Sequence, residues 1–454
     1  MPSSTLAHAV RPPLPRAGRR SGHWTGRLAW LLAVFLAGLA AAVPAMAQDE
    51  PRIVDIRIIG NDVTKARIIE QELAVAIGDV ATNQALADSR QSVQDLGLFR
   101  SVQISQEPAE GGVVVLVHVR EKRFFLPIPR LDTSSDLDYT YGAQLRWSNV
   151  WGLNHRLTAY VEETQYRKDR NLDSARSARV SYLAPYIAGS DYSLSATAER
   201  TEQVTLNRRN PGPDEDNTFE ETLHEFELLG LRSFSTTRPR RGWTRGTGLY
   251  WQHQRAGGLQ APPSDGKATA VVGLASYDDM RFNVYSHTGQ HLDLRAELAV
   301  NGVGSDYGYE RLEATYRDYR AFGNTPHQPI HMIAAGGVLA GGPRSRNPFS
   351  MGGSSRMRGY DSDYIEGDSY WYLAGEYLRP VRWNWLRVLA VAELGGARRS
   401  DFDRYPDQTD RSLFASVGLG FRARITWFVD IDLELGIAMP LVDGDGVRFF
   451  ARSL

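Results

Sequence analysis

Between residues 413 and 425 every second side chain is apolar: Leu413, Ala415, Val417, Leu419, Phe421, Ala423 and Ile425. Ser416, Gly418, Gly420, Arg422 and Arg424 lie between them. That is the period of a β-strand with two unlike faces; a helix repeats its apolar positions every three to four residues. The same alternation runs through Leu292, Leu294, Ala296, Leu298 and Val300, set against His291, Asp293, Arg295 and Glu297. It returns in Ile431, Leu433, Leu435 and Ile437, set against Asp430, Asp432 and Glu434. A half-buried sandwich also alternates. Here the polar rows are heavily charged, and the strands approach the roughly 9–11 residues that a tilted strand needs to cross a bilayer. The expected fold from residue 124 to 454 is therefore a transmembrane β-barrel, apolar outward and polar inward.

The alternation places strands near 125–134, 138–147, 155–166, 176–184, 191–201, 221–233, 243–256, 268–277, 288–300, 309–320 and 329–340. A Gly-rich loop at 341–368 follows, then strands near 369–379, 386–395, 412–425, 428–439 and 446–453. This makes about 16 antiparallel strands, an even total as closed bacterial barrels have. Among 10 Trp and 20 Tyr, Trp371, Trp383, Trp385 and Trp427 stand near strand ends and suit interfacial girdles. The first strand holds Pro127 and Pro129, which donate no ladder hydrogen bond, and the last, with Phe450, is short. The seam between them is expected to be weak, and a bond between Ile128 and Phe450 to seal it. Alternatively, residues 124–130 are a linker and the barrel starts later.

Ahead of the barrel the pattern differs. Arg16, Arg19, Arg20 and Arg27 precede an apolar run from Leu28 to Val43, and Ala45-Met46-Ala47 follows. The run is shorter than the roughly 20 residues of a spanning helix, so residues 1–47 read as an export signal cleaved after Ala47. Residues 52–121 then read β-α-α-β-β, with Thr64 capping a first helix that carries Ile68, Ile69, Leu73 and Ile77.

Basic and acidic residues balance, 52 against 53, so no global field points to nucleic acid. The absence of cysteine removes disulfides and thiolate chemistry. No zinc-protease, phosphate-loop or serine-hydrolase motif occurs; neither a metal, a cofactor nor an enzyme is expected. His287 and His291 are read as lumen lining.

The loop segment Gly352-Gly-Ser-Ser-Arg-Met-Arg-Gly-Tyr360 is the most distinctive motif. Residues 52–121, with Gly60-Asn61 after the first strand and Leu98-Phe99 before the second, resemble a POTRA domain. With Arg356-Met-Arg-Gly-Tyr360, Asp132-Thr-Ser-Ser-Asp-Leu-Asp138 and Asn149-Val-Trp-Gly152, the mature chain resembles the BamA/TamA-like outer-membrane assembly and translocation superfamily. The resemblance implies that the loop folds into the lumen with Arg358 against a carboxylate on the following strands, Gly359 and Tyr360 beside it. Glu393 stands where the family usually has an aspartate; Asp432 is a second candidate, and Asp430 and Glu434 share its face. It also implies an outer-membrane address, a periplasmic N-terminal domain, and help with insertion or passage of polypeptides. Expected partners are unfolded outer-membrane polypeptides or a secreted protein, outer-membrane lipid, and a periplasmic or inner-membrane protein. The rival readings are a passive channel or surface receptor, and a scaffold for a periplasmic partner. One POTRA-like domain is fewer than the superfamily's well-known members carry.

Overall fold

The computed structural model describes residues 51–133, 139–165, 174–206, 218–235, 241–258, 266–283, 285–323, 325, 327–342, 349–361, 364–398, 413–425 and 431–453. The expected signal with Ala45 and Ala47, and also Asp430 and Trp427, lie outside the described residues.

The N-terminal part has the expected order: β1 (Ile53–Ile59), α1 (Ala66–Glu70), α2 (Asn83–Asp95), β2 (Phe99–Ala109) and β3 (Gly112–Glu121). β3 is central, parallel to β1 and antiparallel to β2. Ile53, Ile69, Leu73, Val93, Phe99, Val115 and Val117 form its buried core. α2 starts at Thr82, whose hydroxyl accepts from Ala85 N–H. The first helix corrects the sequence reading. It is a single turn with no side-chain cap, and Ile77 is exposed. Thr64 does not cap it, because Thr64 N–H (2.7 Å) and hydroxyl (2.5 Å) both donate to Glu121, a charged acceptor.

The barrel strands are β4 (Phe125–Thr133), β5 (Tyr139–Val150), β6 (His155–Gln165), β7 (Ala175–Ala184), β8 (Tyr192–Leu206), β9 (Thr218–Ser233), β10 (Gly242–Gly257) and β11 (Gly266–Asp278). A three-residue β12 (Arg281–Asn283) precedes β13 (Ser286–Ala299), β14 (Tyr309–Ala321) and β15 (Pro329–Gly341). Inside the long loop, β16 (Phe349–Met351) and β17 (Ile365–Gly367) pair as a small hairpin. β18 (Ser369–Pro380), β19 (Leu386–Arg398), β20 (Phe414–Ile425), β21 (Ile431–Pro440) and β22 (Arg448–Ser453) complete the circle. Without the short β12, β16 and β17, the closed antiparallel sheet contains the expected sixteen strands, with β4 next to β22. Residues 125–133 are a strand of the barrel, which settles the choice between strand and linker.

Alternation decides which side chains face out. On β18, Trp371 and Leu373 are exposed while Tyr370, Tyr372, Glu376 and Leu378 are buried. Leu419, Phe421, Leu435 and Ile437 are likewise exposed, forming an apolar belt. Trp383 and Trp385 stack at 5.6 Å in the turn after β18, near one rim.

Among the described residues, the seam is the weakest pairing of the long barrel strands. β4 is in register with β5 along its whole length, from Phe125↔Trp147 to Thr133↔Tyr139. Against β22, among the described residues, β4 has the single pair Ala451↔Thr133. Ser148 N–H donates to Phe124 C=O at 2.8 Å, which aims even-numbered backbone groups of this strand at β5 and odd-numbered ones at the seam. Pro127 and Pro129 are odd. Their missing N–H groups therefore fall on the seam side and remove nothing from the β4–β5 ladder.

Among the described residues, the N-terminal domain bonds to the barrel at the β5–β6 turn and at the foot of β10. Gly152 C=O, in the β5–β6 turn, accepts from Lys65 N–H (2.9 Å), and Asn149 donates to the Thr64 hydroxyl (2.8 Å). A Cβ on Gly152 would sit 2.1 Å from Val63 O, at φ +74°. The motif Asn149–Gly152 is thus a docking turn. Farther round, Arg241 at the foot of β10 pairs with Asp95 of α2.

Candidate functional site

The loop between β15 and β18 reaches the inner face of β18–β22. Gly352 and Gly353 adopt positive φ, and Gly353 N–H bonds Tyr360 C=O at 3.0 Å, which closes the segment into a knuckle. Met357, with φ 56°, is fully buried beneath it. The knuckle presents Arg358 to three glutamates.

Arg358 is 1% exposed. Its Nη1 lies 3.1 Å from Glu393, its Nη2 donates to Glu376, and its Nε lies 3.3 Å from Glu434, off-line for a hydrogen bond. Glu393 also accepts from Arg358 N–H (2.7 Å), Met357 N–H (3.2 Å), Tyr372 hydroxyl (2.7 Å) and Ser416 hydroxyl (2.9 Å). Arg422 bridges Glu376 (2.7 Å) and Glu434, and Arg452 on β22 reaches Glu434 at 3.0 Å. Three guanidinium groups thus alternate with three carboxylates in a buried, charge-balanced cluster. Burial acts to lower the Arg358 pKa, but Glu393, Glu376 and Glu434 raise it, and the net direction is up. The group stays cationic.

The neighbours of Arg358 fix the knuckle. A Cβ on Gly359 would lie 2.7 Å from the Met439 and Pro440 backbone and 2.8 Å from Ser416 Cβ. The Tyr360 hydroxyl meets the Ala415 carbonyl (2.9 Å) and that of Val442, and its ring packs edge-on against Phe414 at 5.6 Å. Arg356 lies apart from the cluster, its Nη1 on the Tyr370 hydroxyl at 3.1 Å and its guanidinium over that ring. Gly359→Ala is expected to lift the knuckle and cost about 1–3 kcal/mol through overpacking. Faster protease cleavage of the loop in the folded protein is the readout; an unchanged rate would refute the close approach.

The structure brings Arg358, Gly359, Tyr360 and Glu393 together. It does not bring in Asp432, which pairs with Arg424 (2.8 Å) and Arg387 (3.5 Å) instead. Glu434, one inward position along β21 and about 6.6 Å farther at roughly 3.3 Å per residue, takes that place. Asp430 lies outside the described residues. Glu376, Arg422 and Arg452 were missed, although each sits at an inward position of an alternating strand. His291 contacts Asp278 and Asp293, and no metal-binding cluster occurs among the described residues.

Phe450 also differs from expectation. It points inward, fully buried with Leu378, Leu389, Val391 and Ala438, and Arg358 lies over its ring at 5.5 Å. Ile128 does not face it, because the register sets Ala451, not Phe450, against Thr133. Arg452 Nη1 further approaches Ser355 C=O at 3.4 Å. The loop therefore grips the last strand from inside, at the seam.

A family model described as the Omp85 superfamily domain matches residues 149–451, and one described as surface antigen variable number repeat, a POTRA model, matches residues 51–122. The outer membrane protein assembly factor BamA of Neorickettsia risticii (strain Illinois) is 27% identical over 130 residues, 28% of this chain and 17% of that protein. The match thus spans far less than two thirds of the relative. BamA from Haemophilus ducreyi lacking POTRA domains 1–3 aligns with a TM-score of 0.57 at 14% identity, covering 89% of this chain and 84% of that one. CdiB from Acinetobacter baumannii aligns with a TM-score of 0.62 at 14% identity, covering 89% and 74%. At these identities the structural likeness shows the fold. With well over half its length matched by the barrel model, the chain belongs to the Omp85 superfamily and is an outer-membrane β-barrel with a periplasmic POTRA domain.

Proposed function

We propose that this protein assists the insertion of polypeptides into the outer membrane through the seam between β4 and β22. The observation that carries the reading is the asymmetry of that seam. Among the described residues β22 is tied to β4 by one register pair, yet it is tied inward by Phe450 and Arg452. Parting the seam therefore breaks little of the ladder and leaves β22 anchored to the wall. An exposed strand edge is a template for another strand. β4 offers one through its odd-numbered carbonyls, while Pro127 and Pro129 remove two donors from that edge and keep its pairing with β22 weak. A client strand would first add to the free edge of β2 in the POTRA domain, where no described strand pairs. Driving free energy would come from client folding, without catalysis by this chain. The loop lies within the lumen on β18–β22, which favours a lateral route over a central channel.

Depletion of the protein followed by outer-membrane proteomics tests this reading. Other barrel proteins should fall in abundance, and the purified chain in planar bilayers should stay largely closed. Normal barrel abundance with steady ion conductance would establish a passive channel instead.

A further inference from the structure

The lipid-facing wall carries a feature that membrane insertion does not explain. Arg232 on β9 and Arg245 on β10 stand directly opposite each other. Both are exposed, and both guanidinium groups lie over the ring of Phe234, at 5.2 and 5.3 Å. Neither has a carboxylate partner among the described residues. Like charges at directly opposed positions destabilise a sheet. Cation–π contact with one shared ring offsets part of that repulsion but supplies no counter-charge. Tyr192 lies under Arg232 at 5.5 Å, and Trp243 packs against Tyr277 at 5.5 Å beside the pair. Both arginines are within four residues of the periplasmic ends of their strands, at the depth where basic side chains snorkel to headgroups.

Arg245 also closes one end of an apolar trough of about 910 Å³. Two neighbouring rows of outward positions line it. In the first, Arg245 faces Ala275, Ala275 faces Leu294, Leu294 faces Ala314 and Ala314 faces Gly336. In the second, Gly273 faces Ala296 and Ala296 faces Leu312. Because outward rows flank the trough, it opens to lipid and not to the lumen. From β10 to β18 it crosses five strand spacings, about 24 Å along the wall at roughly 4.8 Å each; with strands tilted about 40° that row climbs roughly 15 Å, about one leaflet of a core about 30 Å thick.

We propose that the trough and the Arg232–Arg245 pair form a binding site for a glycerophospholipid with an anionic headgroup, drawn from the periplasmic leaflet. The phosphate would accept hydrogen bonds from both guanidinium groups and neutralise their repulsion. An acyl chain would lie over Ala275, Ala314 and Gly336, where small side chains leave room for it. This site is independent of whether the seam admits clients.

Native mass spectrometry of the purified full chain with equal phosphatidylglycerol and phosphatidylcholine tests it. Phosphatidylglycerol should be retained preferentially, and Arg232→Gln with Arg245→Gln should lower its retention about 30-fold, as two contacts with anionic lipid predict. Replacing both by lysine should keep most of it. Ala314→Leu, with both arginines in place, should lower retention of either lipid and serves if the glutamine pair fails to fold. Equal retention of the two lipids, or unchanged retention in the glutamine pair, overturns the proposal. So does stronger retention of lipid A, or a two-copy species that Ala314→Leu abolishes, since either names a different occupant.

Discussion

Arg358→Ala is expected to be the most damaging single substitution in the barrel, at about 3–5 kcal/mol, the range for breaking a buried ion pair from one side. The loss comes from the charge balance of a cluster whose three carboxylates are buried. Arg358, Arg422 and Arg452 balance Glu376, Glu393 and Glu434. Removing Arg358 leaves one carboxylate in excess among three glutamates that are buried. The burden falls mainly on Glu393, which has no other guanidinium partner among the described residues. The barrel should lose its resistance to heat in detergent, visible as a lower transition in gel mobility, and Phe450 should lose its cover. Arg358→Lys should recover only part of the loss, because one ammonium cannot address three carboxylates as a planar fork does. Undiminished heat resistance in Arg358→Ala would show that the cluster does not hold the wall together.

The same cluster shows what a sequence can carry. Period-two alternation reports which side of the sheet a residue faces, and on that basis the strands and the inward face of Glu434 were legible. It does not report height. Whether Asp432 or Glu434 meets Arg358 depends on the stagger between β18, β19, β20 and β21, which is a property of closure and not of any one strand. Glu393 was legible through its motif, while Glu376 needed the register that sets Glu393 against Ala374. Thr64 failed for another reason. A threonine before an apolar helical stripe is a good cap by local rules, but Glu121, 57 residues away, claimed both of its donors. Phe450 was recognised as part of the last strand, but its inward direction places it in the wall's packing and leaves Ala451 for the seam.

The second large effect concerns that seam. Cysteines at Thr133 and Ala451 are register-opposed, with an expected Cα separation near 5.5 Å that a disulfide spans. The chain has no other cysteine, so the bond would form without competitors. Closing it joins the one described register pair between β4 and β22 covalently while leaving the Arg358 cluster and the lumen untouched. Insertion through the seam should then stop, and ion leakage, if any, should be unaffected. The direct measurement is the rate at which an unfolded outer-membrane barrel protein acquires protease resistance in liposomes containing the Thr133→Cys, Ala451→Cys variant. The account predicts a rate near that of empty liposomes when the variant is oxidised, and the wild-type rate after reduction. Equal rates in the oxidised and reduced forms, both above empty liposomes, would contradict it.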